Sequence, residues 1–418
     1  MELEFLNRYK EDVSRCVKCG GCQAACPTYE QTGDESMAAR GRMALIEAVI
    51  NGRLNITDGF EKRINSCLDC RRCVVSCPSG VKVDEIISAA RAEIFSAKGR
   101  HAFTLSIIKR VLLSRRLYPC LLKLMNPVKR LFYDRLPDSF PLPSSFRSNG
   151  IKRLLPDFSK TALRKKLGGL HSVKNPKGRV AFFTGCAVNS AHQHVGEALI
   201  EVLNHNGIEV VVSEDELCCG IPFLSNGDRE TAEIFARHNI DIFTSLGVDA
   251  VLTCCATCGS ALRDYPKWVN HEKASDFASI SMDVHRYLVR HTDYKTGMGE
   301  VRRSVTWHDP CHLSRGQGVK EEPREILRAI PGLEFIEMNK PCSCCGFGGS
   351  VSLRDYDMTM AIASKKAENI KNSGASELAT GCPACKIHIE DALNHNKLSK
   401  PVRHTVEYLA ESYGNGRK

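Results

Sequence analysis

The sequence lacks the features that mark several common classes of protein. No apolar run approaches the ~18–20 residues that a membrane-spanning helix needs, so we expect no such helix. Residues 1–10 show no basic-then-apolar export signal, which favours a cytoplasmic, reducing location. Neither a G-x-G-x-x-G fingerprint nor a P-loop occurs, and we therefore predict no flavin or nicotinamide site in this chain. No acid–base dyad stands out, so we predict no catalytic residue.

Acidic residues are scarce in one stretch. Residues 98–178 carry 19 Lys and Arg, three Asp and no Glu, a net charge of +16, whereas the whole chain is +10 and the remainder therefore −6. Because the basic character is confined to one segment, we expect no nucleic-acid partner. Apolar residues from Ile107 to Phe132 alternate with Lys and Arg. This pattern predicts a basic amphipathic helix on a membrane surface, helices packed on the rest of the protein, or a segment that docks to a partner subunit.

Cysteine, in contrast, is abundant, with 21 residues at spacings typical of metal sites rather than disulfides. Two runs, Cys16–Pro27 and Cys67–Pro78, share the spacing C-x₂-C-x₂-C-x₃-C-P of two-cluster [4Fe–4S] ferredoxins, in which the fourth cysteine of each run binds the other cluster. Two zinc sites are the alternative, which is disfavoured because zinc prefers paired cysteine knuckles. The predicted ligands are Cys16, Cys19, Cys22 and Cys77 for one cluster, and Cys67, Cys70, Cys73 and Cys26 for the other.

Ten further cysteines form an internal repeat. Each copy has one cysteine, then Cys-Cys-Gly, then C-x₂-C, and matching positions lie 125–127 residues apart, which indicates a duplication. Adjacent cysteines can bridge metals in a larger cluster. The two sets are Cys186, Cys218, Cys219, Cys255, Cys258 and Cys311, Cys344, Cys345, Cys382, Cys385.

This repeat resembles the cysteine-rich CCG domain of the catalytic subunit of heterodisulfide reductase. In that family five such cysteines hold a non-cubane [4Fe–4S] cluster, and some relatives carry zinc in one copy. The resemblance makes all ten repeat cysteines candidate metal ligands. Thiolates suit both metals, and an iron–sulfur cluster is favoured over zinc.

Two histidines and three further cysteines fall outside these two motifs. His308 and His312 flank Cys311 and are either hydrogen-bond donors to cluster sulfurs or ordinary polar residues of a turn. We predict that the leftover cysteines are free and buried. They are Cys120, Cys254 and Cys342.

Alternating strand and helix patterns predict the fold. In the first copy, Ile208–Val212 and Ala250–Thr253 read as strands, and the apolar positions from Val195 to Leu203 read as one helix face. A further helix face from Ala232 to Leu246 is interrupted by Asn239. The β-α-β-α-β order predicts a parallel sheet with the cysteines beyond its carboxyl edge.

The chain is therefore predicted to be a multidomain α/β protein. It begins with a mainly α-helical ferredoxin module, in which residues 38–50 read as a helix, and ends in two duplicated α/β domains with short parallel sheets. The module resembles the helical ferredoxin domain of the succinate dehydrogenase and heterodisulfide reductase families. The predicted boundaries are 1–97 for the module, 98–178 for a basic helical linker, and 179–300 and 301–418 for the two CCG domains.

The order of module, linker and two CCG domains resembles the iron–sulfur subunit of glycolate oxidase and its D-lactate dehydrogenase counterpart. It is related to heterodisulfide reductase and to the iron–sulfur subunit of anaerobic glycerol-3-phosphate dehydrogenase. The matching motifs are Cys26-Pro27-Thr28-Tyr29, Gly33-Asp34-Glu35 with Arg40-Gly41-Arg42, Cys77-Pro78-Ser79-Gly80-Val81, and Pro323-Arg324-Glu325 with Pro331-Gly332-Leu333. Glycolate-type chains often end in Gly-Asn-Pro-Gly-Cys, whereas this chain keeps both Cys382 and Cys385, which leaves lactate-like substrates open.

The resemblance implies an electron-transfer subunit of an oxidoreductase. A separate FAD subunit would oxidise a 2-hydroxy acid, and this chain would relay single electrons to quinone or another carrier, with peripheral contact to the inner face of the membrane. The alternatives are a heterodisulfide reductase-like subunit that reduces a disulfide at a CCG cluster, a glycerol-3-phosphate dehydrogenase subunit, and a zinc-stabilised scaffold.

Overall fold

The computed structural model describes residues 3–99, 102–113, 121, 123–124, 147–148, 151–154 and 156–417. Its elements form an N-terminal helical module followed by two α/β units, each built on a short, largely parallel sheet. The predicted fold class is confirmed. We call these parts the helical module (residues 3–98), the first repeat unit (163–291) and the second repeat unit (303–416).

The helical module is held together by its own apolar core. The helix predicted over residues 38–50 runs from Ala39 to Ile50, and its Ile46 side chain is fully buried with Phe60 and Ile86. Pro27 begins a helix directly after Cys26, where its missing N–H costs nothing. The helices are Lys10–Ser14, Gly21–Ala25, Pro27–Thr32, Ala39–Ile50, Asp58–Asn65, Arg72–Val75 and Val83–Lys98, with 3₁₀ turns at Asn7–Tyr9 and Glu35–Met37.

The first repeat unit is built on five strands in the order β3-β5-β4-β6-β7. They are β3 Gly169–His171, β4 Gly178–Phe182, β5 Ile208–Val212, β6 Ala250–Thr253 and β7 Ser281–Asp283. The strands β5 and β6 have the predicted bounds. The edge strand β3 is antiparallel and comes from residues predicted as linker. The helices are Leu163–Leu167, Gly185–Ser190, Gln193–His205, Ile221–Leu224, Arg229–Thr244, Ala256–Trp268, Ala274–Ile280 and Val284–His291.

The helix predicted from the apolar positions between Ala232 and Leu246 runs from Arg229 to Thr244 and includes Asn239, the polar residue within its apolar face. The Asn239 side chain is buried, accepts from the Leu217 N–H at 2.9 Å and donates to the Cys218 carbonyl at 3.0 Å. The polar residue is tolerated because it binds the loop that carries the Cys-Cys-Gly motif.

The second repeat unit is built on four parallel strands in the order β11-β10-β8-β9. They are β8 Arg303–His308, β9 Leu333–Phe335, β10 Glu377–Thr380 and β11 Val402–His404. His308, the last residue of β8, pairs in register with Thr380. The helices are Cys311–Ser314, Glu321–Ala329, Val351–Arg354, Tyr356–Asn372, Pro383–His395 and Thr405–Gly416.

The three parts are packed together. One apolar core runs through both repeat units, and Asn206 of the first donates to the Tyr413 hydroxyl of the second at 3.1 Å. A separate apolar cluster that includes Leu68 and Met358 joins the helical module to the second repeat unit. The second repeat unit therefore contacts both the helical module and the first repeat unit.

The basic stretch is only partly described. It includes the helix Ala102–Leu113 and a two-residue antiparallel pair formed by β1 Arg147–Ser148 and β2 Ile151–Lys152. Cys120 and most of the predicted basic helices lie outside the described residues. Among the helices that the structure describes, none has the length and apolarity needed to cross a bilayer.

Candidate metal centres

The first ferredoxin site is the group Cys16, Cys19, Cys22 and Cys77. These four residues line one cavity of about 20 Å³, together with Gly20 and Arg40. Gly20 has φ 84° and turns the chain into the short helix that carries Cys22. The Val81 N–H donates to the Cys77 sulfur at 3.4 Å, and Cys19 is exposed. The four predicted ligands thus converge near the surface.

The second ferredoxin site is the group Cys26, Cys67, Cys70 and Cys73. It lines a cavity of about 30 Å³ and is more deeply buried than the first. Burial raises the pKa of the Cys67 thiol, while the charges of Arg42 and Arg91 lower it. Each run thus contributes its fourth cysteine to the other group, as the motif predicts.

The first repeat site is the group Cys186, Cys218, Cys219, Cys255 and Cys258. Each of these thiols lies beside the next in the order Cys186–Cys218–Cys219–Cys258–Cys255. The neighbouring thiols of Cys218 and Cys258 lower the pKa of Cys219 to about 5. All five cysteines therefore meet beyond the carboxyl edge of the sheet.

A buried carboxylate holds the loop of Cys186. Glu216 accepts from the N–H groups of Thr184 at 2.8 Å and Gly185 at 2.9 Å, and Arg164 lies 3.7 Å away. Burial raises the Glu216 pKa, and the Arg164 charge opposes that rise. This role is not among the predictions from sequence. The available signal was the acidic run Glu214-Asp215-Glu216, which ends two positions before Cys218.

The second repeat site is the group Cys311, Cys344, Cys345, Cys382 and Cys385. The sulfurs of Cys345 and Cys385 are 3.3 Å apart, and the Gly346 N–H donates to the Cys344 sulfur at 3.4 Å. Gly346 has φ 84°, and a side chain there would meet the Thr359 carbonyl oxygen at 2.4 Å. The glycine of the Cys-Cys-Gly motif is thus required by close backbone packing.

A different carboxylate holds the loop of Cys311. Asp309 accepts two hydrogen bonds from Arg324, at 2.9 and 2.8 Å, and one from the Trp307 indole at 2.7 Å. Burial would raise the Asp309 pKa, but the bonds and charge of Arg324 lower it below its usual value. The loop is fixed by a bidentate ion pair.

The two histidines beside Cys311 differ in environment. His308 is buried, and burial lowers its pKa to about 3, so its ring is neutral. Its ligand atom and the sulfurs of Cys345 and Cys385 all lie within 4.8 Å of one another. His312 lies between the parts of the protein, with Nδ1 3.4 Å from Thr257 Oγ1.

The sites contact one another. The Cys70 thiol of the second ferredoxin site lies beside the Cys344 thiol of the second repeat site, within one apolar cluster. The Cys382 thiol of that site lies beside Cys255 of the first repeat site. The second repeat site therefore lies between the second ferredoxin site and the first repeat site, and the dicluster motif places the first ferredoxin site next to the second because each run supplies a cysteine to both. Motif spacing alone gave no indication of this order.

Two leftover cysteines are described. Cys254 is buried, as predicted. The prediction for Cys342 is wrong, because this residue is exposed. It lies in a turn that is closed by a 3.0 Å hydrogen bond from the Ser343 N–H to the Lys340 carbonyl, and Lys340 has φ 52°.

Comparison with known proteins agrees with these sites. Residues 12–81 match the family of 4Fe-4S dicluster domains, and residues 180–263 and 305–390 each match the cysteine-rich CCG domain. These matches define an iron–sulfur protein with one dicluster module and a duplicated cysteine-rich domain.

Full-length relatives narrow this class. The chain is 30% identical to the "Probable glycolate oxidase iron-sulfur subunit" of Bacillus subtilis, over 99% of this chain and 97% of the relative. It is 25% identical to the glycolate oxidase iron-sulfur subunit of Escherichia coli, over 95% and 93%. It is 27% identical to a subunit of the dihydromethanophenazine:CoB–CoM heterodisulfide reductase of Methanosarcina mazei, over 96% and 94%. The chain belongs to the family of iron–sulfur subunits of oxidoreductases that includes these proteins.

Proposed function

We propose that the chain is the electron-transfer subunit of a flavin-dependent 2-hydroxy-acid dehydrogenase of the glycolate or D-lactate type. A separate FAD subunit oxidises the acid, and this chain passes the electrons to quinone or another carrier. The observation that carries the proposal is the unbroken row of cysteine sites, joined by the Cys70–Cys344 and Cys382–Cys255 contacts. Full-length similarity to two glycolate oxidase subunits supports the hydroxy acid as substrate of the complex.

The donor sets fit the expected groups. Two sets of four cysteines each converge on one cavity, and four thiols are the ligand set of one [4Fe–4S] cube, which supplies one-electron chemistry when bound. Each repeat site offers five thiols for a further iron–sulfur cluster or zinc. The ligands are the eight cysteines of the ferredoxin sites and the ten of the repeat sites.

The first ferredoxin site is exposed to solvent, whereas the second is buried inside the protein. At the first site Cys19 is exposed, and so are Val17 and Val75 beside the cysteine runs. At the second site the Thr28 hydroxyl lies 3.1 Å from the Cys26 sulfur, inside the protein. We propose that the flavoprotein docks at the first site, because electron exchange between proteins requires close approach. The basic segment 98–178 is the candidate for contact with an anionic membrane surface.

The test is reduction by substrate through the flavoprotein. The full chain, prepared without oxygen, is mixed with its FAD subunit and then with glycolate or D-lactate. We expect paramagnetic reduced clusters to appear only when flavoprotein and acid are both present. Clusters that stay oxidised with both acids, but are reduced by dithionite, would contradict the hydroxy-acid assignment.

A second candidate is direct disulfide reduction. It is favoured by a cavity of about 80 Å³ where the helical module meets the first repeat unit, lined by Thr257, Ser260 and His312, close to the Cys255–Cys382 contact. Turnover of a disulfide by the chain with a chemical reductant and no flavoprotein would establish this activity and defeat the first proposal.

A further inference from the structure

One buried side chain at the second repeat site lacks the partners that burial normally demands. His308 is 1% exposed, and neither ring nitrogen makes a hydrogen bond in the described part of the chain. Burying an unpaired polar nitrogen is unfavourable, so such groups usually have a partner that is a protein group, water or a ligand. Its place at the end of β8 puts it at the sheet edge where the cysteines collect.

The ring faces a pair of thiols. The His308 ligand atom and the sulfurs of Cys345 and Cys385 lie within 4.8 Å of one another, and the two sulfurs are 3.3 Å apart. Imidazole nitrogen and thiolate sulfur are common ligands of zinc and of protein-bound iron. Three such donors around one position form the greater part of a tetrahedral ligand set.

A backbone carbonyl lies close to the ring. A metal-bound histidine usually directs its second nitrogen toward a backbone carbonyl. The carbonyl of Pro341 lies beside His308, although not in hydrogen-bond geometry. The Lys366 ammonium donates to that same carbonyl at 2.9 Å and so fixes its position.

The first repeat site has no counterpart to this donor. The position equivalent to His308, 125 residues earlier, is Phe183, and its ring packs against Phe243 with centroids 5.5 Å apart. Equivalent positions of the two copies therefore carry a phenyl ring directly after β4 and an imidazole at the end of β8.

We propose that His308 is a metal ligand of the second repeat site, which makes this centre a mixed nitrogen and sulfur site while the first repeat site has sulfur ligands only. The metal is either an iron of an iron–sulfur cluster or a zinc ion. The inference rests on the proposed assignment of metal to the repeat cysteines. In iron–sulfur centres, histidine in place of cysteine raises the reduction potential.

The test uses the full chain, purified without oxygen and labelled with ¹⁵N-histidine. Iron, zinc and labile sulfide are counted, and the ligands are read from pulsed paramagnetic resonance of the reduced protein and from X-ray absorption at the iron and zinc edges. His308→Phe introduces the residue of the first copy, His308→Cys supplies a replacement ligand, and His312→Phe is the neighbouring control. We expect one directly bound histidine nitrogen in the wild type and in His312→Phe, and none in the two His308 variants.

The two metals give different readouts of the same result. If the site holds iron, the nitrogen coupling disappears from the resonance spectrum of His308→Cys while iron and sulfide are retained. If it holds zinc, the zinc edge of that variant shows sulfur ligands alone. His308→Cys also covers the case in which His308→Phe fails to bind metal or to fold.

Two results would overturn the proposal. One is a wild-type protein with the full metal content and no directly bound nitrogen. The other is a nitrogen signal that survives in both His308 variants. Because dithionite replaces the flavoprotein in these measurements, they are independent of the hydroxy-acid experiment, and either can fail alone.

Discussion

The two repeat units have the same cysteine spacing but hold their sites in different ways. In the first unit Asn239 binds the loop before the Cys-Cys-Gly motif, and Phe183 packs in the core beside the site. In the second unit the equivalent residues are Lys366, which donates to the Lys340 and Pro341 carbonyls, and His308. The comparison shows that the cysteine pattern was kept after the duplication while the supporting residues diverged.

The copies also differ in their neighbours. The second repeat site contacts the second ferredoxin site through Cys344 and Cys70, and the first repeat site contacts the second repeat site through Cys255 and Cys382. The second copy is therefore the intermediate in the row and the first copy is its end. The following changes test this distinction.

The largest effect is expected from Cys70→Ser. This change removes one ligand of the second ferredoxin site and its contact with Cys344. We expect the loss of about four irons per chain. When the FAD subunit and its acid supply the electrons, we also expect the loss of reduction at both repeat sites. Iron analysis measures the metal content, and rapid-freeze paramagnetic resonance measures the reduction of the repeat sites. In the control Cys342→Ser, which changes an exposed thiol, the iron content and the reduction should match those of the wild type. Unimpaired reduction of the repeat sites in Cys70→Ser would refute the proposed order.

The next effect is expected from Asp309→Ala, in the second copy. Arg324 is buried and donates twice to Asp309, so removal of the carboxylate leaves part of a buried charge unpaired. We expect a loss of about 3–5 kcal/mol in the free energy of unfolding, measured anaerobically with urea. Asp309→Asn, which keeps an acceptor, should lose less. Equal loss in the two variants would show that a neutral acceptor contributes nothing and that the loss comes from the missing charge. Unchanged stability of Asp309→Ala would contradict a role of this ion pair.

A pH effect is expected from Lys366. Burial lowers its pKa from 10.5 to about 8. Between these pH values the unfolded chain binds a proton that the folded chain does not, so the free energy of unfolding rises as pH increases from 8 to 10.5. The rise is on the order of 3 kcal/mol. Urea unfolding of the wild type and of Lys366→Met across this pH range isolates the contribution of Lys366. The same slope of the unfolding free energy against pH in the two proteins would exclude Lys366 as the source of the rise.

The smallest effect is expected from Asn239→Ala, in the first copy. Its loss leaves the buried Leu217 N–H and Cys218 carbonyl without their partner. We expect destabilisation of about 1–3 kcal/mol, with earlier metal release from the first repeat site than from the second. Asn270→Ala, at an exposed position, should change stability by less than about 0.5 kcal/mol. Equal rates of metal release from the two repeat sites of Asn239→Ala would show that Asn239 does not stabilise the first site in particular.

Much of the fold could be predicted because its signals are local. Strands β5 and β6 are short apolar runs, and their bounds follow from the runs themselves. The grouping of Cys77 with the first run, and of Cys26 with the second, follows from a motif whose geometry is set by the cluster.

The remaining features depend on packing between distant segments. The contact of Cys70 with Cys344 joins residues more than 270 positions apart, and no periodicity encodes it. In the sequence Asn239 interrupts the apolar face of its helix, and the loop that it binds cannot be recognised from the neighbouring residues. The edge strand β3 was missed because three residues give too short a pattern to recognise.

The apolar core that passes through both repeat units has a mechanical consequence. Since one buried apolar cluster runs from β4 to the last helix, the two units cannot separate without exposing that core to water. The spacing between their sites is therefore fixed by the fold, and electrons pass between them without domain movement. The rate of this internal step is expected to be insensitive to solvent viscosity, unlike docking to other subunits.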